Sequence, residues 1–106
     1  MGILIAQMRL AQINSFRSDL NYNIQLISAT RMDLLNQINE LVNLGSEMDS
    51  ESPEMKALEK KKERLNQAEK MLDMQLQRYQ TQLDMLNAEE QSVKEDLQES
   101  IQRCYA

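Results

Sequence analysis

A chain of 106 residues and 12.4 kDa has room for one small domain. Two Gly, one Pro and 4% aromatic residues are too few for a turn-rich β protein, and a single Cys with no His removes disulfide frameworks, zinc clusters and Ser–His or Cys–His pairs. No enzymatic activity and no cofactor are therefore expected, and the net charge of −5 falls wholly on residues 47–106, nine basic against fourteen acidic, while residues 1–46 balance three against three.

The opening Met1-Gly2-Ile3-Leu4-Ile5-Ala6-Gln7 has no basic residues ahead of a short apolar run. Neither a cleavable signal nor a membrane span is expected, which leaves the cytoplasm or a signal-independent export route. From Ile3 the apolar residues recur at alternating steps of three and four. Ile3, Leu10, Ile24 and Ile38 form one seven-residue series, broken by Arg17 and Arg31; Ala6, Ile13, Leu20, Ile27, Leu34, Leu41 and Met48 form the other. Seven residues are nearly two helical turns, so both series share one face of a helix over about 3–44. Gly45 and Ser46 supply the stop expected of a C-terminal glycine cap.

Residues 45–52 are the one concentration of turn formers. Ser52 as N-cap, Pro53 at the first helical position and Glu54 in the positive first turn start a second helix, expected over about 53–103. Its seam reads Leu58, Leu65, Leu72, Tyr79, Leu86 and Val93, with Leu76 and Leu83 in a companion series that also carries Lys62, Glu69 and Glu90. Two long helices joined by a short loop give an all-α, antiparallel hairpin over 1–106. A hairpin that buries one stripe per helix is marginal alone and is expected to be completed by oligomerisation.

The outer faces differ. The second helix is covered by Glu, Lys, Arg and Asp, and its basic run Lys60-Lys61-Lys62 with Arg64 is interleaved with Glu59 and Glu63, unlike a nucleic-acid surface. The first helix instead presents Asn, Gln, Ser and Thr, with a further apolar set of Leu4, Met8, Phe16, Tyr22, Leu26, Leu35 and Val42. Uncharged amides and hydroxyls are buried at far lower cost than charges. The first helix is therefore expected to face inward in an assembly, through Ile3, Leu10, Ile13, Phe16, Leu20, Ile24, Ile27, Leu34, Ile38 and Leu41. Its partners are expected to be copies of the same chain or another helical protein. Arg17 and Arg31, inside the seam series, must snorkel or meet carboxylates and so fix the register.

Single residues outside the main series have their own readings. Met71, Met74 and Met85 are expected to fill gaps beside the second seam, Cys104 to pack as a small seam residue, and Tyr105 and Ala106 to dock. Glu89–Glu90 and Asp96–Glu99 are expected to be solvated rather than metal-binding.

This organisation resembles the helical-hairpin subunits of secretion filaments, the type III secretion needle and needle-extension proteins. The shared layout is a Ser/Asn/Gln-rich first helix, a short loop with Ser52-Pro53, a long second helix and an apolar end from Ile101 to Ala106. The resemblance implies a structural subunit that stacks helically with its termini inside the fibre, which adds Leu97 and Ile101 to the expected contacts. The alternative is a closed coiled-coil dimer or tetramer that acts as an adaptor or chaperone-like binding module.

Overall fold

The computed structural model describes residues 2–105, which form two helices, α1 (Ile3–Gly45) and α2 (Pro53–Cys104). Of the described residues 91% are helical, and among them there is no strand. The helices run antiparallel as a hairpin, and each boundary lies within one residue of its expected place.

Two compact units divide the chain, one holding the residues up to Ile24 with those from Arg78 onward, the other Gln25–Gln77. In the first, the heptad stripe of α1 closes on that of α2: Ala6 and Ile13 are fully buried, Val93 nearly so, and Leu10, Leu86 and Leu97 pack around them. Ala6 lacks a long side chain, so α2 can approach closely where the larger Ile13 follows two turns later. In the second unit Ile27 and Ile38, one from each series of α1, are buried with Leu58 of the α2 seam.

The bend is built from local hydrogen bonds. Ser52 Oγ accepts from Met55 N at 3.1 Å and donates to Asp49 O at 2.8 Å, so one hydroxyl caps α2 and ties it to the turn. Asp49 Oδ1 accepts from Glu51 N at 3.3 Å, an Asx turn that turns the chain back before Pro53. Gly45 departs from expectation. Its φ is not positive, and α1 continues through it, with Ser46 N donating to Val42 O at 3.1 Å. The reason for glycine is space: a Cβ here would stand 2.9 Å from Leu58 Cδ2 and 3.4 Å from the Met55 sulfur. Gly45 is buried where α2 doubles back over the end of α1.

Candidate assembly surface

Among the described residues six hydrophobic side chains make up the buried core, and Ile13 is the only large one fully enclosed. The accessible surface is 8001 Å². A globular protein of this mass exposes about 6,100 Å², so the chain leaves roughly 1,900 Å² more in contact with water. Where that surface is apolar and where it is charged decides what it can meet.

The three cations of α1 all turn onto α2. Arg9 Nε donates to Glu89 Oε1 at 2.6 Å, Arg31 Nε donates to Glu69 Oε1 at 2.5 Å with Asp73 3.5 Å from its Nη1, and Arg17 Nη2 pairs with Glu90. Each guanidinium lies partly buried at the edge of the apolar stripe, so its aliphatic stem covers the seam while its head meets a carboxylate. Glu90 also accepts from Lys94 Nζ at 3.1 Å, one turn along α2. Hydrogen bonds from Arg17 and then Lys94 hold the Glu90 carboxyl below its usual range, against the opposing effect of desolvation. The bond to Glu69 likewise raises the Arg31 guanidinium above its ordinary value. Arg17 Nε is a buried donor with no hydrogen-bond partner, since Arg17 reaches Glu90 through Nη2 and Asn14 Oδ1, at 3.3 Å, through Nη1.

The carboxylates of these pairs were missed in the sequence, where Glu89 and Glu90 read as solvated. The available signal was the coincidence of charges within both seam series, Arg17 and Arg31 on one helix and Glu69 and Glu90 on the other.

The residues expected at contacts between subunits fall into two groups. Ile13, Ile27 and Ile38 are buried within the chain itself, and Ile3, Leu10, Leu20, Ile24, Leu34, Leu41 and Leu97 are half-buried beside them. The stripe that would serve an assembly is the one that α2 covers. Phe16 and Ile101 remain exposed, at 50% and 40%. Of the expected seam residues, Leu58 and Val93 are buried and Leu65, Leu72, Leu76, Tyr79, Leu83 and Leu86 are half-buried.

The outward side of α1 is open. Leu4, Met8, Tyr22 and Leu26 are each more than half exposed, and Met32, Leu35, Val42 and Leu44 are exposed as well. With Arg9, Arg17 and Arg31 engaged by α2, α1 retains only Asp19, Asp33 and Glu40 as charges directed elsewhere. Within the first unit Phe16, Leu20, Met85 and Leu86 floor a groove of about 570 Å³, rimmed by Asp19, Gln82 and Glu89.

Three further expectations are overturned. Met71, Met74 and Met85 fill no gap in the hairpin: all three are exposed, because their positions lie outside the seam. Cys104 is exposed rather than packed, and Tyr105, 88% exposed, does not dock on its own chain. Ala106 lies outside the described residues.

Among the described residues no helix is long and apolar enough to cross a membrane, and no group of three or more His, Cys, Asp or Glu is placed to hold a metal ion. Compared with protein-family models, curated proteins and solved structures, the chain matches none, so its likeness to secretion needle subunits rests on the two-helix layout alone.

Proposed function

We propose that this protein is a structural, non-enzymatic subunit that assembles with copies of itself into a filament or similar helical array, α1 turned inward and α2 outward. One observation carries the reading: α1 directs every cation it has onto α2 and keeps large apolar side chains, Leu4, Met8, Tyr22 and Leu26, open to water. Exposed apolar surface of that extent is the usual mark of an interaction face. The charged exterior of α2, with Lys60, Lys61, Glu63 and Arg64 exposed, suits the solvent side of an assembly.

The groove between Phe16 and Met85 favours a second reading, a closed dimer or tetramer that seats a helical segment of another protein. Closure separates the two. Light scattering over a concentration series, with negative-stain microscopy of the same samples, is expected to show a mass that climbs with concentration and fibres on the grid. A single fixed mass of two or four chains without fibres would replace the filament with the closed adaptor.

A further inference from the structure

On the side of α1 away from α2, the first unit carries a second helical stripe. Leu4, Met8, Ala11, Ser15, Ser18 and Tyr22 follow one another at steps of four, three, four, three and four, the spacing of a coiled-coil seam. All six are exposed, Leu4, Met8 and Tyr22 at 70%, 61% and 65%. None is charged. The neighbouring cations Arg9 and Arg17 are held by Glu89 and Glu90 on the opposite side, so no positive charge stands beside the stripe.

We infer that this stripe is the contact for a second copy of the chain, with the two α1 helices packed antiparallel about a two-fold axis. The step pattern reads the same in both directions. In an antiparallel pair Leu4 therefore meets Tyr22, Met8 meets Ser18 and Ala11 meets Ser15, each contact made twice. The centre is small on both copies, which lets the backbones approach, and the large side chains sit at the ends, where they close over the small ones. A parallel pair would set Ala11, Ser15 and Ser18 against themselves and leave the large side chains as isolated couples.

The electrostatics select the same occupant. A partner must bring a face without charge, because a charge set against this stripe would be buried unpaired. The outer positions of α2 carry Lys56, Lys60, Glu63, Lys70, Asp84 and Glu95, so within this chain α1 offers the matching face.

The inference rests on the reading of α1 as the face turned toward other copies, and it adds what that face meets. An isologous contact is complete with two chains, so a fibre would be built from such pairs joined through another surface.

The test uses the full chain with Cys104→Ser, made once with Leu4→Cys and once with Tyr22→Cys. The two proteins are mixed equally, oxidised mildly and resolved by mass spectrometry, with helicity checked by circular dichroism. The mixed 4–22 disulfide is expected to exceed the 4–4 and 22–22 products by roughly tenfold, since a disulfide demands close and correctly aimed Cβ atoms. Dominant 4–4 and 22–22 products would overturn the antiparallel register. A sedimenting oligomer without any of these cross-links would overturn the stripe and leave self-association standing; a monomer would overturn both. Independently, Ser15→Glu adds two carboxylates beside the axis and is expected to weaken the pair by at least tenfold, roughly the 1.4 kcal/mol that a tenfold change represents. Gln91→Glu, on the exposed side of α2, is expected to leave it unchanged. Equal association of the Ser15→Glu protein and the parent would contradict the inference.

Discussion

Arg17 and Glu90 show how a charge is tolerated inside a hydrophobic repeat. The Arg17 stem lies along the seam, its Nη2 pairs with Glu90, and its Nε is left without a partner. A partly buried ion pair of this kind adds little stability over a well-packed apolar pair, whereas removal of one partner strands the other. Replacing both residues, Arg17→Leu with Glu90→Leu, is therefore expected to hold or raise the urea midpoint, while Glu90→Leu alone lowers it; a double variant less stable than the parent would show that the pair stabilises rather than positions. Glu90 also sets an acid response. Its carboxyl is lowered in the folded chain, so its contribution is present above the unfolded value, about pH 4.3, and fades as pH falls through the lower folded value. Stability followed by circular dichroism is expected to be level near neutrality and to decline in acid, and Glu90→Gln is expected to flatten part of that decline.

At the scale of elements, the bend holds the register that these pairs depend on. Gly45 faces Leu58 and Met55, and Ser52 caps α2. Ser52→Ala removes the acceptor for Met55 N and is expected to cost about 1 kcal/mol in denaturant titrations. Gly45→Leu must displace Leu58 and is expected to cost roughly 1–3 kcal/mol, while Gly45→Ala, whose added methyl meets the ends of the Leu58 and Met55 side chains, is expected to be milder. An equal loss for both would point to backbone conformation instead of space. The start of α2 was legible in Ser52-Pro53-Glu54, and both helices in the heptad series, because period and capping are local properties. The role of Gly45 was not: glycine at a helix end usually marks a left-handed cap, and only the path of α2 over it shows that room is what matters. The same limit hid Glu89 and Asp73, which lie outside the seam series and become partners only once the helices are paired. Ile27 and Ile38 were recognised as apolar seam residues, yet period alone cannot say whether α2 or a second chain covers a stripe.

For the whole molecule, the balance between buried and exposed apolar groups is the governing fact. Among the described residues six buried hydrophobic side chains hold the hairpin, while α1 leaves more large apolar residues exposed than it buries. Under the proposal, a copy that covers α1 adds to the stability of the chain, which would link folding to association. Lys61→Glu, on the exposed side of α2, is expected to change neither mass nor stability appreciably; a large loss would reverse the assignment of inner and outer helices. The most direct check of the linkage is the urea unfolding midpoint, read by circular dichroism at two protein concentrations roughly a hundredfold apart. If copies complete the hairpin, the midpoint rises at the higher concentration, as mass action requires. An identical midpoint at both concentrations would mean that the hairpin is stable as a single chain and would contradict the proposal that α1 is built to be covered by another copy.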